Sequence, residues 1–254
     1  MKQIIVIGGG ASGMMAAYAA GLSGAKVLLL EQNEKLGKKI YITGKGRCNF
    51  TNSCSMDEFF QQIVTNPKFL YSALSVFNNE DIIQLIQEHG VPVKIERGNR
   101  AFPVSDHASD ITKALSKALA EVNVTVKLQT QVLDISQTNH KIIGVVCKDH
   151  LFYEADAVIL ATGGMSYPTT GSTGDGYRFA QKLTHTIKKP HPALVALVTK
   201  EEYIPKLQGL SLRNVTLTIL GNKKPLFHEF GELLFTHFGV SGPLGLSASS
   251  CIYK

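Results

Sequence analysis

Three glycines, at positions 8, 10 and 13, sit in the run Gly8-Gly9-Gly10-Ala11-Ser12-Gly13, and an acidic residue, Glu31, ends the apolar stretch Lys26-Val27-Leu28-Leu29-Leu30 that follows. This spacing suits the binding of a pyrophosphate. The first glycine makes the tight turn off a strand, the second lets the main chain approach the phosphates, and the third lets helix and strand pack closely. A helix from Ala11 to about Ser23 then aims its free N–H groups and the positive end of its dipole at the same anion. Glu31, with Gln32 beside it, is placed to accept a hydrogen bond from an adenosine ribose hydroxyl and to repel a 2′-phosphate, which favours NAD or FAD over NADP.

A second candidate ligand loop runs from Leu36 to Asn52. Gly44 and Gly46 permit close backbone approach, Lys39 and Arg47 offer cations for a phosphate or an anionic ring oxygen, and Asn49 and Asn52 carry paired donors and acceptors. An ordinary exposed loop is the other reading of this composition. Further on, Ala157-Val158-Ile159-Leu160 ends in Ala161-Thr162-Gly163-Gly164, where a strand gives way to backbone that a ligand can approach. Asp175, in Thr173-Gly174-Asp175-Gly176, falls at the start of a helix, where the dipole alone accounts for a carboxylate and the active-site border is the alternative.

Several of these segments together resemble the BaiN-like (YhiN-like) family of bacterial NAD(P)/FAD-dependent oxidoreductases, which includes flavoproteins named aminoacetone oxidases. They are Gly8–Gly13, Glu31, Gly37-Lys38-Lys39 and Thr43-Gly44-Lys45-Gly46-Arg47-Cys48-Asn49-Phe50-Thr51-Asn52. Phe102-Pro103-Val104-Ser105 and Gly231 to Pro243 carry the same likeness, and Thr173 to Gly176 is also similar to the fumarate reductase group. The resemblance implies FAD, with Glu31 on the adenosine ribose and Gly44 to Asn49 near the pyrophosphate or flavin; the arrangement also resembles flavoproteins of two-dinucleotide-domain type, which implies the backbone at Val132 against the adenine. It also implies that residues 1–190 form an FAD-binding Rossmann-like domain, with residues 191–254 the start of an inserted antiparallel β-barrel-like domain. On that likeness the chain ends inside the inserted domain, before the segment that completes the flavin site.

The elements that must position these groups follow from periodicity. Gln3 to Ile7 and Lys26 to Leu30 read as parallel strands around the first helix. Asp57 to Val64, Leu70 to Phe77, Asp81 to His89 and Ala108 to Ala120 show helical spacing. Val93 to Glu96, Val124 to Leu128, Val132 to Ile135, Lys141 to Cys147 and Leu151 to Tyr153 read as strands, the last two in an antiparallel meander. Ser105 or Asp106 is the candidate N-cap before Ala108, with substrate contact the alternative for Ser105 and for Arg100. Beyond Pro190, Ala193 to Thr199, Val215 to Leu220 and Leu233 to His237 suggest an antiparallel β-domain. His237 there is either catalytic or simply hydrogen-bonded.

The 254 residues, 44% hydrophobic, suffice for a sizeable core. The net charge of +6 suits anionic ligands, but lysines and arginines are scattered, which argues for a solvated surface over nucleic-acid binding. No uninterrupted apolar run is long enough to span a bilayer. Cys48, Cys54, Cys147 and Cys251 are too unevenly spaced for a disulfide framework, which points to a reducing, cytoplasmic setting. No metal-ligand spacing occurs.

The expected function is FAD-dependent oxidation and reduction of an unidentified small molecule, with NADH or NADPH a possible donor that binds transiently, because no second Gly-x-Gly-x-x-Gly appears. The alternatives are a thiol–disulfide flavoenzyme using Cys48 and Cys54, and a non-enzymatic nucleotide-binding module associated with RNA. No residue is assigned as general acid or base.

Overall fold

The computed structural model describes residues 1–252. In chain order its elements are β1 (Gln3–Ile7), α1 (Ala11–Leu22), β2 (Lys26–Leu30), β3 (Thr51–Asn52), α2 (Met56–Gln61), α3 (Tyr71–Val76), α4 (Asn79–Glu88), β4 (Val93–Glu96), β5 (Arg100–Pro103) and α5 (Ala108–Glu121). There follow β6 (Thr125–Lys127), β7 (Val132–Thr138), β8 (Lys141–Cys147), β9 (Phe152–Glu154), β10 (Ala157–Leu160), α6 (Asp175–Lys182), β11 (Leu197–Val198), β12 (Ser211–Gly221), β13 (Lys224–Phe235), β14 (Gly239–Ser241) and α7 (Gly242–Ser249). Two compact units result: Met1–Ser55 with Ser72–Ile187, and Met56–Tyr71 with the residues from Lys188 onward.

The first unit is built on a parallel sheet of order β10-β1-β2-β6. Apolar residues on both faces of its strands explain the parallel pairing, because such a sheet must be covered on each side. Alternation sorts the side chains. Val6, Val27 and Leu29 pack with Met14 and Ala17 of α1 and Ile111 and Leu115 of α5, whereas Ile5, Ile7 and Leu30 pack with Val132, Ile135, Val145 and Phe179. Helices thus cover one face, and the antiparallel β7-β8-β9 sheet with α6 covers the other. Leu29 is fully buried, so its replacement by Ala costs about 2–5 kcal/mol.

The register brings Ile7, Leu30 and Leu160 level, and Leu30 level with Lys127. The segments that leave these strands, starting at Gly8, Glu31, Ala161 and Leu128, therefore emerge at one edge. A third sheet in this unit, β3-β5-β4, pairs Thr51 with Ala101 and Val93 with Pro103. Sequence periodicity reveals neither β3 nor β5, because each is too short to show an alternation.

The second unit contains the antiparallel sheet β11-β14-β13-β12 and α7, with a small core of Phe227, Leu233, Leu244 and Ala248. Asn222 and Lys223, both at positive φ, form the two-residue turn of the β12–β13 hairpin. The expected strand Ala193 to Thr199 is reduced to Leu197–Val198, and β13 reaches back to Lys224. Among the described residues no helix is long and apolar enough to cross a membrane.

Candidate functional site

At the carboxyl edge of the parallel sheet lies a cleft of about 390 Å³, lined by Gly8, Gly10, Ala11, Ser12, Glu31, Gln32, Asn33, Lys39, Thr43, Val132, Ala161, Thr162, Gly163, Thr170, Gly171, Ser172, Asp175 and Phe179 among others. Its size falls in the range of small-molecule sites. It stands at the place where open α/β sheets bind ligands, outside the strand ends.

The glycine turn has the geometry its spacing predicts. Gly8 has a φ of 104°, and a Cβ there would strike the Ala161 carbonyl oxygen. A Cβ on Gly13 would overlap the Gly8 carbonyl oxygen, so this glycine serves the contact of strand and helix. A Cβ on Gly10 would meet no protein atom within 4 Å, so the main chain there faces open space. Helix α1 starts at Ala11 with no side-chain cap and no acidic residue in its first turn, which leaves its opening N–H groups to an anion.

Glu31 is buried, at 6% exposure, and holds the turn directly. Its Oε2 accepts the Gly9 N–H at 2.6 Å, and its Oε1 accepts the Asn33 N–H and the Asn33 Nδ2 at 2.7 Å each. A carboxylate has about four acceptor positions. One remains on Oε2. An uncapped helix N-terminus, open backbone at Gly10 and a buried carboxylate in one cleft are features that an adenine dinucleotide can use.

A polar bridge crosses between the segments that follow β2 and β10. Gln32 Nε2 donates to the Gly171 carbonyl at 2.9 Å and Asn33 Nδ2 to the Thr170 carbonyl at 3.2 Å. Lys39 Nζ donates to the Ser166 carbonyl at 2.8 Å and to Ser172 Oγ at 2.6 Å. Asp175, the first residue of α6, accepts from Thr173 Oγ1 at 2.7 Å and from Arg178 at 3.2 Å.

The cleft brings together twelve residues expected from sequence: Gly8, Gly10, Ala11, Ser12, Glu31, Gln32, Lys39, Val132, Ala161, Thr162, Gly163 and Asp175. Gly13, Gly44, Gly46, Arg47, Cys48, Asn49 and Gly164 are outside its lining. Cys48 and Asn49 instead line an apolar groove of about 420 Å³ that shares Ala11, Ser12, Ile40 and Thr43 with the cleft. The Arg47 guanidinium pairs with Glu96 and Asp106. The N-cap of α5 is His107 and makes no side-chain cap bond; Ser105 Oγ donates to Asp110 instead, and Asp106 joins Lys94 and Arg47. Arg100 Nε bonds its own turn at the Arg97 carbonyl, and the His237 ring packs edge-on against Phe238. Sequence reasoning missed Thr130, Gln131, Thr170, Gly171 and Ser172 as lining residues. Thr130 and Gln131 follow closely on the end of β6, which was an available signal, whereas Thr170 to Ser172 lie well past the end of β10.

Two groups of charges and thiols are perturbed. Arg47, by hydrogen bonding, holds the Glu96 carboxyl below its ordinary range, and Lys94 and then Arg47 do the same for Asp106. Burial pushes the Cys48 and Cys147 thiols up. All four cysteines are free thiols. Among the described residues no group of three His, Cys, Asp or Glu side chains is placed to hold a metal ion.

A parallel sheet, a glycine turn opening a bare helix and an acidic residue closing the next strand define a Rossmann-type dinucleotide-binding domain. The chain belongs to the HI0933-like protein Rossmann domain family, whose model matches residues 2–245. It is 35% identical over 251 residues to the 3-dehydro-bile acid delta(4,6)-reductase of Clostridium scindens, covering 95% of this chain and 58% of that protein. It is 32% identical over 246 residues to the ribosomal RNA dihydrouridine synthase of Escherichia coli, covering 97% of this chain and 60% of that one. The chain thus spans about three-fifths of the length of these relatives. Among solved structures, a flavocytochrome c3 fumarate reductase shares the fold at a TM-score of 0.60 and 21% identity, over 84% of this chain and 47% of that one. A 3-ketosteroid-delta4-(5alpha)-dehydrogenase from Rhodococcus jostii does so at 0.55 and 14%, over 84% and 60%. Both likenesses show the fold that the chain shares with these enzymes.

Proposed function

We propose that this chain is the FAD-holding part of an oxidoreductase that saturates a carbon–carbon double bond conjugated to a carbonyl. One observation carries the cofactor half of this reading: a single cleft pairs an uncapped helix N-terminus with a buried carboxylate that keeps one acceptor position open. Bound FAD, once reduced by the electron donor, would supply the hydride for such a reduction. The first-turn N–H groups at Ala11, Ser12 and Gly13 hold the diphosphate, and the main chain at Gly8 and Gly10 leaves it room. Glu31, with Gln32 beside it, orients the adenosine ribose, and Val132 with Ala161, Thr162, Gly163 and Gly164 borders the adenine. Lys39 and Asp175 shape the wall of the cleft, and Gly44, Gly46, Arg47, Cys48 and Asn49 belong to the flavin half.

The choice of acceptor is supported by the relatives' names. One reduces the delta(4,6) unsaturation of a 3-dehydro-bile acid and another makes dihydrouridine in ribosomal RNA. The acceptors differ, yet in each a double bond in conjugation with a carbonyl gains two hydrogens. The electron donor in this reading is NADH or NADPH, bound transiently at the flavin, and the four free thiols favour a cytoplasmic setting. A small-molecule enone is the first candidate acceptor. The RNA-modifying relative makes uridine in RNA the second. Thiol–disulfide exchange is disfavoured, because Cys48 is buried and burial opposes its ionisation.

The test is to purify the chain, identify FAD released on denaturation, and supply NADPH with either a 3-oxo-4-ene steroid or unmodified ribosomal RNA. Loss of the enone absorbance, or a gain of two hydrogens at a uridine, supports the reading and selects the acceptor. A flavin-loaded chain that reduces neither, but passes electrons to a disulfide substrate, contradicts it.

A further inference from the structure

The turn from Thr43 to Asn49 is strained. Gly44, Lys45, Gly46 and Cys48 have φ values of 55°, 58°, 89° and 61°, and two of these residues, Lys45 and Cys48, carry side chains. Left-handed backbone at such residues costs free energy and persists only where the surroundings over-determine it. The turn closes on itself through the Arg47 N–H to the Gly44 carbonyl and the Cys48 N–H to the Thr43 carbonyl, both at 3.2 Å. Those bonds are local and do not fix the turn against the rest of the unit.

Asn49 Nδ2 donates to the Ala101 carbonyl at 3.1 Å and the Cys48 side chain is buried in the core, and Arg47 adds a charged anchor to these. Its Nε donates to Asp106 Oδ1 at 2.8 Å, its Nη2 donates to Glu96, and its guanidinium carbon stands 4.3 Å from the centre of the Phe102 ring. Lys94 completes the group, 2.7 Å from Asp106 and 3.7 Å from Glu96. The charges of Arg47 and Lys94 are balanced by Glu96 and Asp106, and Arg100 stands 5.8 Å from the centre of the same Phe102 ring. Arg47 is also absent from the lining of the dinucleotide cleft, whereas Thr43, at the start of the turn, lines it.

We infer that Arg47 is a positioning residue, held by Glu96 and Asp106 so that the Thr43–Asn49 turn is pre-formed for the cofactor, and that it does not itself bind the cofactor's phosphates. The inference rests on FAD being the ligand of the adjoining cleft. It makes the effect of the two carboxylates opposite in sign to that expected if Arg47 clamped an anion. Removing negative charge beside a phosphate-binding arginine strengthens anion binding. Removing the carboxylates that hold a positioning arginine weakens it.

The experiment measures FAD affinity by titration, and amide hydrogen exchange at residues 44–49 in the cofactor-free protein, for Arg47→Met, Arg47→Lys and the double variant Glu96→Gln/Asp106→Asn. Circular dichroism confirms that each is folded, and Arg47→Lys is the mild variant if the others are not. Expected are an affinity loss of about tenfold in all three, because lysine keeps the charge but not the planar fork, and faster exchange confined to the turn. Affinity that is unchanged or improved in the double variant overturns the inference while leaving the FAD reading intact. So does a loss confined to Arg47→Met and steeply dependent on salt. A folded, unsubstituted chain that takes up no FAD overturns both together.

Discussion

The Glu31 carboxylate accepts the Gly9 amide N–H at 2.6 Å, so the acidic residue that ends the second strand also fixes the glycine turn that follows the first. Its other oxygen is occupied by two donors from Asn33. The geometry of the glycine turn and the proposed ribose contact therefore depend on one side chain. In Glu31→Gln an amide nitrogen must face either the Gly9 N–H or the Asn33 donors. The expected cost is about 1–3 kcal/mol of stability in the cofactor-free protein, measured by urea denaturation, together with weaker FAD binding.

Gly10 and Gly13 differ in what a methyl group would meet, and alanine substitution separates their roles. Gly10→Ala places its Cβ in open space, at a φ of −76° that alanine accepts, so the thermal transition of the cofactor-free protein stays within a few degrees of its original midpoint while FAD affinity falls by about tenfold or more. Gly13→Ala drives its Cβ into the Gly8 carbonyl and destabilises the fold itself by about 1–3 kcal/mol. Equal losses of stability in both variants would show that Gly10 does not face a ligand.

Acid should loosen the Arg47 network before the fold is lost. Glu96 is held below its ordinary 4.5 by the Arg47 hydrogen bond, and Asp106 below its ordinary 3.8 by Lys94 and then Arg47. A carboxyl depressed in the folded state contributes stability that is fully present above its unfolded value and is lost as the pH falls through the folded value. The expected result is faster amide exchange at residues 44–49 as the pH drops below about 4, after correction for intrinsic rates, and no such change between pH 5 and 8. Because these groups are partly exposed, salt should shrink the effect.

Thiol reactivity should follow burial. Cys48 and Cys147 are buried, with thiols raised by burial, whereas Cys54 and Cys251 are partly exposed. Iodoacetamide under native conditions is expected to label Cys54 and Cys251 first, as read by peptide mass mapping, and Cys54→Ser should leave flavin reduction unchanged. Rapid labelling of Cys48 would revive a dithiol mechanism.

What the sequence made legible was contiguous. Gly8–Gly13 and Glu31 belong to a single strand–turn–helix–strand stretch, and each of their roles can be read from local spacing, as can the glycine end of the β10 strand. Long-range pairings were not legible. Arg47 reads in sequence as a free cation in a glycine-rich loop, but its partners lie 49 and 59 residues further on. Lys39 meets Ser172 across 133 residues, and no periodicity anticipates that bond. Strands β3 and β5, which give Arg47 its platform at Phe102, are too short to announce themselves.

The most direct test of the central claim is competition for the cleft by fragments of the cofactor. Titration calorimetry of the flavin-free chain should show ADP displacing FAD, because the diphosphate and adenosine ribose meet the α1 N-terminus and Glu31, while FMN, which lacks the adenosine, binds at least about tenfold more weakly than FAD. FMN binding as tightly as FAD, with ADP unable to compete, would contradict the account.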